Sequence, residues 1–415
     1  MLKVRPSTIK GEVQSISSKS YVHRALICAS LAEGKSKIFF NKSSLDIEAT
    51  ISCLRELGAD IIAGEDFLEV SPIKNRHAIP RLDCKESGST LRFLLPLASS
   101  LYNKCYFMGE GRLPDRPIKD LVDIMKANKV IFSASKLPFM TENKFDFSYA
   151  KIRADISSQY ISGLLFAGLS LDHLSEIVPT GKLVSKSYLE LTMDMIKKFS
   201  GDVVYEDDRF KVYPTILQGL DYRAEGDWSN ASFFLVAGAL NKEVLVKGLN
   251  PKSLQGDRAI IDILKDYGAR LEIRDEYIRV GAGERNNLII DINEIPDMLP
   301  ALSILASGAD GGKSTFYNAK RLRIKESDRL FATCQLINNL GGRAIEKEDS
   351  LEVYGTGGLR GGRVDSHNDH RIAMAAVIGS LIAKKPIEIK NHRAVNKSYP
   401  DFYEDFVRIG GQIDI

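Results

Sequence analysis

The sequence predicts an α/β protein of two globular domains, each built from three copies of a strand–helix–strand–helix–strand–strand unit. Three observations predict this fold: amphipathic helices that end at a cap residue, apolar helices rich in Ala, Gly and Ser, and short alternating strands. Both kinds of helix recur along the 415-residue chain with a common period of about seventy residues. Two independent features that share one period indicate six copies of one unit.

The amphipathic helices end at regularly spaced caps, where Gly or Asn commonly tolerates the left-handed conformation. The cap positions are Gly58, Asn128, Ser200, Gly268, Gly341 and Gly410. Consecutive caps are 70, 72, 68, 73 and 69 residues apart. Short strands with alternating apolar residues lie between the helices, as in Phe210-Lys211-Val212-Tyr213 and Leu351-Glu352-Val353-Tyr354. Each period therefore contains both helices and strands.

The apolar helices are hydrophobic nearly all round, which is typical of helices buried among close neighbours. Their predicted starts lie near Ser20, Ser89, Ser158, Asp227, Asp297 and His370. Most of these starts carry hydroxyl, carboxyl or cationic side chains. Capping explains any single start, whereas all six together favour helix N-termini directed at a shared anionic ligand.

Six units exceed one hydrophobic core, so the chain is expected to divide into two halves of three units. The predicted first domain spans residues 13–224, and the second combines residues 1–12 with 225–415. The N-terminal strand Leu2-Lys3-Val4 is expected to complete the last unit, beside Gln412-Ile413-Asp414-Ile415. The active site is expected in the cleft between the two domains.

A charged segment, Lys325-Glu326-Ser327-Asp328-Arg329, leads into an apolar-periodic stretch. Ser327 is the predicted N-cap of a helix that ends at Gly341-Gly342. Cations are unfavourable at a helix N-terminus unless an anion binds there, in which case backbone N–H groups and cations converge on it. A solvated charged turn is the alternative for an isolated segment of this kind.

Composition excludes several classes of protein. A net charge of +3 is too small to indicate a nucleic-acid or membrane-binding surface. The five cysteines are scattered and predict neither a disulfide framework nor a zinc site, as expected in a reducing cytoplasm. The start lacks the apolar segment of a signal peptide, and the longest apolar run, 372–383, is too short to span a bilayer. No metal or cofactor is expected, and His23 and His392 are expected to be structural or exposed.

Ten motifs give the chain a resemblance that covers essentially its whole length. They are SKSYVHRAL (18–26), SGSTLRF (87–93), GEGRLPDRPIKDLVD (109–123), DISSQYISGLL (155–165), SKSYLELT (185–192), EGDWSNASFFL (225–235), IPDML (295–299), RIKESDRL (323–330), NDHRIAMA (368–375) and NKSYPDF (396–402). In number and order they resemble the EPSP synthase family of enolpyruvyl transferases. The resemblance implies an inverse α/β fold of two lobes, each of three βαβαββ units around buried parallel helices.

The resemblance also implies transfer of the enolpyruvyl group of phosphoenolpyruvate to the 5-hydroxyl of shikimate 3-phosphate, with release of phosphate. The product leads to chorismate and the aromatic amino acids, and glyphosate competes with phosphoenolpyruvate. The residues implied to bind shikimate 3-phosphate are Lys19, Ser20, Arg24, Ser157, Ser158, Gln159, Ser185, Tyr188, Asp297, Arg321 and Lys325. Those implied to bind phosphoenolpyruvate are Lys19, Gly88, Arg92, Arg116, Gln159, Arg329, Arg371 and Lys397.

The implied chemistry needs two proton transfers. Asp297 is expected to take the proton of the 5-hydroxyl, and Glu326 is expected to protonate the methylene carbon, with Lys19 assisting. Two positions depart from the family pattern, because Glu86 and Arg321 stand where Asn is usual. An Arg at 321 suits a substrate phosphate, whereas Glu86 would repel phosphoenolpyruvate unless its carboxylate turned away.

Two alternatives remain open at this point. The first is the sibling enolpyruvyl transferase that acts on UDP-N-acetylglucosamine, which has a reactive Cys in a mobile loop of its first half. The corresponding loop here, 109–117, contains no Cys, and Cys105 is expected to be an inert core residue. The second alternative is a non-catalytic repeat protein that binds anions. A monomer acting on small molecules, without nucleic acid or membrane partners, is expected.

Overall fold

The computed structural model describes residues 1–74 and 79–414. These residues form two compact units, called here the N-terminal unit (Ser17–Ala224) and the C-terminal unit (Met1–Ile16 with Glu225–Ile415). In the described ranges, no helix combines the length and the apolar character that crossing a membrane requires.

The helices fall into the two predicted kinds. In the described part of the chain the α-helices are α1 (Lys19–Leu31), α2 (Leu45–Glu56), α3 (Gly88–Leu101), α4 (Lys119–Ala127), α5 (Ser158–Gly168), α6 (Lys186–Lys198), α7 (Trp228–Leu240), α8 (Ile260–Tyr267), α9 (Leu299–Ser307), α10 (Arg329–Asn339), α11 (His370–Gly379) and α12 (Phe402–Arg408). Short 3-10 helices cover Leu113–Asp115, Gly256–Ala259, Lys320–Ile324, Ser380–Ile382 and His392–Lys397. The buried helices are α1, α3, α5, α7, α9 and α11. Every residue of α7 is buried.

The strands are short, as the alternating patterns predict. They are β1 (Leu2–Arg5), β2 (Lys10–Gln14), β3 (Ser36–Phe39), β4 (Asp60–Ala63), β5 (Phe67–Ser71), β6 (Arg81–Asp83), β7 (Lys104–Met108), β8 (Ile131–Phe132), β9 (Phe139–Glu142), β10 (Tyr149–Arg153), β11 (Ser175–Thr180), β12 (Val203–Glu206), β13 (Arg209–Val212), β14 (Tyr222–Arg223), β15 (Glu243–Lys247), β16 (Arg270–Ile273), β17 (Tyr277–Gly281), β18 (Ile289–Asp291), β19 (Lys313–Tyr317), β20 (Arg343–Glu346), β21 (Ser350–Tyr354), β22 (Gly362–Asp365), β23 (Ile387–Lys390) and β24 (Gln412–Asp414).

These strands form six four-stranded sheets with one topology. The N-terminal unit contains the orders β14-β3-β5-β4, β6-β7-β9-β8 and β10-β11-β13-β12. The C-terminal unit contains β2-β15-β17-β16, β18-β19-β21-β20 and β22-β23-β1-β24. In every sheet the first two strands are parallel and the remaining neighbours are antiparallel. The predicted fold class, with six copies of a βαβαββ unit, is therefore confirmed.

Three of the six units contain a strand from a distant part of the chain. β1, predicted to complete the last unit, pairs with both β23 and β24, while Ile415 lies outside the described residues. β14 pairs with β3 and supplies the first strand of the first unit. β2 pairs with β15 along its whole length, so the predicted boundary after residue 12 falls inside this strand. The structure instead divides the chain after Ile16.

Each of the two compact units, N-terminal and C-terminal, has its own hydrophobic core around its buried helices. In the N-terminal unit α3 and α5 approach very closely where Gly163 faces the backbone of α3. A Cβ added to Gly163 would lie 2.1 Å from the carbonyl oxygen of Arg92. Glycine is therefore required there, and it brings the N-terminal turns of these two helices side by side.

One predicted N-cap is corrected by the structure. The N-cap of α10 is Asp328, whose carboxylate accepts a hydrogen bond from Phe331 N, and not Ser327. The Ser327 hydroxyl instead donates to Asp369 Oδ2 at 3.0 Å. The helix predicted to start near Asp297 begins at Leu299, because Pro300 is compatible only with its first turn.

Candidate functional site

In the N-terminal unit the predicted substrate residues lie at the starts of α1, α3, α5 and α6. Lys19 is the first residue of α1, and its ammonium group donates to Asp46 Oδ2 in the first turn of α2 at 2.7 Å. Both side chains are largely shielded but retain access to solvent, with 16% of each exposed. An ion pair of this kind holds the lysine ammonium group in one place at the start of α1.

Arg24 joins the starts of α1 and α6. Its guanidinium donates to Thr192 Oγ1 at 2.8 Å, to the Ser20 carbonyl at 2.8 Å and to the Tyr188 carbonyl at 3.0 Å. It also stacks over the Phe93 ring at 5.0 Å. Burial lowers the pKa of Arg24 to about 10, so the group stays cationic at neutral pH. The structure thus brings Ser20, Arg24 and Tyr188 together.

Arg92 and Gln159 join the starts of α3 and α5. Arg92 Nη1 donates to Gln159 Oε1 at 2.8 Å, and Gln159 Nε2 donates to Ser89 Oγ at 2.8 Å. A second guanidinium nitrogen of Arg92 donates to the Pro117 carbonyl at 3.1 Å, which ties α3 to the loop that carries Arg116. These bonds place two predicted phosphoenolpyruvate ligands in one network.

Arg116 packs directly on the start of α3. A Cβ added to Gly88 would lie 2.5 Å from Arg116 Nη1, so a side chain at position 88 would displace the guanidinium from this place. The Glu86 carboxyl group packs against Gly111 of the same loop, where an added Cβ would lie 2.5 Å from Glu86 Cδ. Gly111 also has a φ of +59°, which favours glycine. The carboxylate of Glu86 therefore faces the loop.

Three of the four predicted serines lie at the starts of α5 and α6. Ser157 is the N-cap of α5, and its hydroxyl accepts from Gln159 N at 3.3 Å. Ser158 is buried in the first turn of that helix. Ser185 precedes α6 with a φ of +52°, a left-handed conformation that a non-glycine residue rarely adopts. All three lie at helix starts, as the resemblance requires.

In the C-terminal unit the predicted residues form a cluster centred on Arg329, which is 1% exposed. Its guanidinium contacts Asp297 Oδ1 at 2.6 Å, Glu326 Oε2 at 2.5 Å and Asp369 Oδ2 at 2.9 Å. Burial would lower the pKa of Arg329, but the three carboxylates outweigh it and raise that pKa above its ordinary value. The two predicted proton-transfer residues, Asp297 and Glu326, are therefore held by one cation.

Asp297 is surrounded by positive charge. Lys325 Nζ lies 3.7 Å from Asp297 Oδ1, and Arg371 Nη2 lies 3.7 Å from Asp297 Oδ2. Burial opposes ionisation of Asp297, but Lys325, Arg371 and Arg329 together hold its pKa well below the usual range. The carboxylate is ionised at neutral pH, which a general base requires.

The remaining predicted residues of this unit lie around the cluster or at its edge. Arg321 Nη2 donates to the Asn293 carbonyl at 2.6 Å, and Lys397 Nζ donates to the Asn368 carbonyl at 2.7 Å. Two buried nitrogens of Arg371, Nε and Nη1, have no hydrogen-bond partner among the described residues. Those nitrogens are available to an anionic ligand.

Three carboxyl groups near the site were missed as site residues by sequence reasoning. In the sequence, Asp46 is an ordinary acidic residue of a first helical turn, and Asp369 is a candidate N-cap. The structure confirms that Asp369 caps α11, because its side chain accepts from Arg371 N. Asp257, in the 3-10 helix Gly256–Ala259, lies in no motif that drew attention. Its Oδ1 is buried without a partner among the described residues. Burial first, and the charge of Asp297 second, raise the pKa of Asp257 to about 7.

No cluster of His, Cys, Asp and Glu side chains within residues 1–74 and 79–414 is suited to hold a metal ion. The predicted site residues are mostly cations, carboxylates and residues at helix N-termini. In both units these groups are suited to bind phosphorylated or carboxylated molecules.

Sequence comparisons point to one family. The family model described as EPSP synthase (3-phosphoshikimate 1-carboxyvinyltransferase) matches residues 4–406. A relative from Clostridium kluyveri, named 3-phosphoshikimate 1-carboxyvinyltransferase, is 42% identical over 422 residues, covering 100% of this chain and 98% of that protein. A relative of the same name from Clostridioides difficile is 40% identical over 430 residues, with 100% and 98% covered.

Solved structures agree with this result at the level of the fold. EPSP synthase from Acinetobacter baumannii matches with a TM-score of 0.82 at 22% identity, covering 100% of this chain and 99% of that one. The enolpyruvyl transferase NikO from Streptomyces tendae matches with a TM-score of 0.78 at 15% identity, covering 100% and 98%. From the family model and the sequence relatives, the chain belongs to the EPSP synthase family.

Proposed function

We propose that the protein transfers the enolpyruvyl group of phosphoenolpyruvate to the 5-hydroxyl of shikimate 3-phosphate, yielding 5-enolpyruvylshikimate 3-phosphate and phosphate. The observation that carries the proposal is the ionised Asp297 held among Lys325, Arg329 and Arg371. Both substrates are multiply anionic, and a carboxylate surrounded by cations offers them a base and counter-charges at once. The names of the sequence relatives describe the same transfer.

In the first step the 5-hydroxyl oxygen attacks C2 of phosphoenolpyruvate while Asp297 accepts the hydroxyl proton. Glu326 donates a proton to C3, which gives a tetrahedral intermediate. In the second step phosphate leaves C2 as a proton leaves C3, which restores the double bond. Proton transfer by positioned groups contributes about 10²- to 10⁴-fold, and electrostatic stabilisation and positioning supply the rest.

Substrate binding is expected to activate Asp297. A carboxylate whose pKa is held far below its usual range is a weak base. Anionic substrate groups that bind Lys325, Arg329 or Arg371 compensate the charges that depress this pKa. The pKa of Asp297 should therefore rise when the substrates bind, which brings the base closer to the range that catalysis at neutral pH favours.

Glu326 and Arg329 need a matching rearrangement. Arg329 already contacts three carboxylates, so a substrate anion has to compete for its guanidinium. We expect its contact with Glu326 to weaken as the guanidinium turns toward the anion, which frees Glu326 to exchange a proton. Arg371, with two nitrogens that lack partners among the described residues, can take an anion without such competition.

The N-terminal unit supplies the remaining proposed ligands. The residues of this unit proposed for shikimate 3-phosphate are Lys19, Ser20, Arg24, Ser157, Ser158, Gln159, Ser185 and Tyr188. Asp297, Arg321 and Lys325 of the C-terminal unit are proposed to bind the same substrate. The residues proposed for phosphoenolpyruvate are Lys19, Gly88, Arg92, Arg116 and Gln159 of this unit, together with Arg329, Arg371 and Lys397 of the C-terminal unit. That the two sets act on one pair of substrates, in a cleft between the domains, stays a prediction.

The sibling reaction on UDP-N-acetylglucosamine is disfavoured by the cysteines. All five are buried. Burial raises the pKa of the Cys105 thiol, the one nearest in sequence to the loop 109–117, to about 12. A thiol in that state is a poor nucleophile at neutral pH. Alkylating reagents should therefore leave turnover unchanged, and inactivation by modification at Cys105 would favour the sibling reaction.

The test is phosphate release from phosphoenolpyruvate and shikimate 3-phosphate. Wild type should release phosphate, whereas Asp297→Asn and Lys19→Ala should lose about 10²-fold or more of the rate. Asp291→Asn is the matched control, because Asp291 ends β18 six residues before Asp297 and contacts Asn318 at the surface. Wild type that binds shikimate 3-phosphate without releasing phosphate would show a non-catalytic anion-binding protein, and full activity of Asp297→Asn would refute its role as base.

Three further expectations belong to the proposal. The protein is proposed to act in the cytoplasm, since five buried free thiols suit a reducing compartment. It is proposed to be a monomer that needs no cofactor. Its small net charge of +3 is the reason for proposing small-molecule substrates alone, without nucleic-acid or membrane partners.

A further inference from the structure

A buried chain of hydrogen bonds links α1, α2 and α3 close to their N-termini. His23 Nδ1 lies 2.7 Å from Thr50 Oγ1, and Thr50 Oγ1 lies 2.7 Å from Thr90 Oγ1. The Thr90 hydroxyl donates to Ser87 Oγ at 2.7 Å, and Ser87 is the N-cap of α3. All four side chains are at most 1% exposed. Each helix of the trio thus contributes at least one member.

The number of protons in the chain fixes its direction. The only hydroxyl proton of Thr90 is used on Ser87, so Thr50 must donate to Thr90. The hydroxyl of Thr50 then has no proton left for His23, so the imidazole must donate from Nδ1. The ring is neutral, because burial and the nearby charges of Lys19 and Arg24 lower the pKa of His23 well below its usual range. His23 Nε2 therefore carries a lone pair, and it is buried without a partner among the described residues.

This chain lies one helical turn inside the ion pair between Lys19 and Asp46. Lys19 and His23 are four residues apart on α1, and Asp46 and Thr50 are four residues apart on α2, so each pair shares one helix face. The two helices are therefore connected by two successive contacts, Lys19–Asp46 at the rim and His23–Thr50 in the interior. Thr90 extends the interior contact to α3 through its contact with Thr50.

We propose that His23, Thr50 and Thr90 are positioning residues for the transfer reaction: their hydrogen bonds hold the starts of α1, α2 and α3 in the register that places Lys19 and Gly88. The inference rests on the proposed function, in which Lys19 and Gly88 contact phosphoenolpyruvate. Apolar burial is not directional, whereas the three hydrogen bonds of 2.7 Å depend on both distance and angle and so fix the relative positions of the helices. A misplacement of about 1 Å can cost about 10²-fold in rate.

The test compares variants that keep or remove one hydroxyl. Thr90→Val preserves the shape of the side chain and removes the bonds to Ser87 and Thr50, while Thr90→Ser keeps the hydroxyl. The expected result is a fall of about 10-fold or more in kcat for Thr90→Val, with the KM for phosphoenolpyruvate changed at most a few-fold, and rescue by Thr90→Ser. Thr50→Val and Thr50→Ser should behave in the same way.

The matched control lies at the other end of α3. Ser100 Oγ shares a partly buried 2.6 Å hydrogen bond with Ser170 Oγ, so Ser100→Ala also removes a hydroxyl–hydroxyl bond from this helix. It should lower the thermal midpoint much as Thr90→Val does, with kcat unchanged. If Thr90→Val loses stability but keeps the wild-type kcat, the chain is merely structural and the inference is overturned.

A spectroscopic measurement tests the chain without relying on activity. In protein labelled with ring-15N histidine, the His23 signal, assigned by its loss in His23→Asn, should show a neutral ring protonated at Nδ1 at pH 6. A ring protonated at Nε2, or at both nitrogens, would overturn the proton order and with it the inference. Absence of phosphate release by wild type would instead refute the proposed function, whatever tautomer His23 shows.

Discussion

Asp257 should make the C-terminal unit less stable as the pH rises, and Asp257→Asn should remove that effect. Burial raises the pKa of Asp257 to about 7 in the folded protein, whereas an unfolded Asp titrates near pH ~3.9. Between these values the folded state holds a proton that the unfolded state has lost. Stability therefore falls as the pH rises through this window, and the effect levels off above about pH 7.

The size of the effect follows from the shift. Between pH 5 and pH 8 the free energy of unfolding of wild type falls by about 1.4 kcal/mol per pH unit until Asp257 ionises near pH 7. The total decrease is about 3 kcal/mol. The amide of Asn does not titrate. The stability of Asp257→Asn relative to wild type should therefore increase by about 3 kcal/mol from pH 5 to pH 8.

Urea unfolding at the two pH values measures this difference. Trp228, the only tryptophan of the chain, is buried in α7, and its backbone N–H donates to Gln255, beside the 3-10 helix of Asp257. Its fluorescence therefore reports on the same unit. Asp262→Asn is the control, because Asp262 is an exposed carboxylate of the adjacent α8 that pairs with Lys265. Equal stability differences for Asp257→Asn at both pH values would refute the reasoning, since the carboxylate would then be ionised and held by Arg371.

Three further predictions concern stability. Asp369→Ala should cost about 3 to 5 kcal/mol in urea unfolding, because it removes a buried 2.9 Å partner of Arg329 and the acceptor of both the Ser327 hydroxyl and Arg371 N; a loss below 1 kcal/mol would contradict a buried ion pair. Gly163→Ala should cost about 2 to 3 kcal/mol, since its Cβ meets the Arg92 carbonyl at 2.1 Å, and a wild-type melting temperature would show that α3 and α5 separate freely. Because the pKa of His23 is lowered on folding, its contribution to stability is complete above pH ~6.5. Below that pH the free energy of unfolding falls by up to about 1.4 kcal/mol per pH unit. His23→Asn should weaken this dependence on pH below about 6.5, and an unchanged dependence would contradict the reasoning.

The repeat architecture could be predicted because it depends on local signals. A Gly, Asn or Ser at the end of each amphipathic helix and an apolar stretch of small residues in each buried helix are readable in the sequence, and both recur with the spacing of the six sheets. The borrowed strand β14 could not be predicted, because two residues, Tyr222 and Arg223, carry no periodicity of their own. Their place is decided by pairing with β3, nearly two hundred positions earlier in the sequence.

The error in the predicted N-cap of α10 had a similar origin. Ser327 and Asp328 are both good caps, and the sequence cannot tell which one caps α10. Their roles are decided by Asp369, a residue of another element that binds the Ser327 hydroxyl and leaves Asp328 to cap the helix. The partners Asp46 and Asp257 were missed for the same reason, because tertiary neighbours rather than local patterns give these two carboxyl groups their properties.

The two units prepare buried cations for anions in different ways. All the hydrogen bonds of Arg24 among the described residues go to uncharged acceptors, so its positive charge is not cancelled and an anion gains its full attraction. Arg329 is surrounded by three carboxylates, so an anion gains little there unless it displaces one. Displacement is useful if the released carboxylate is the one that must move a proton. An anion that competes with Asp297 for Arg329 would raise the pKa of that carboxylate, so the same contact that binds the substrate would also prepare the base.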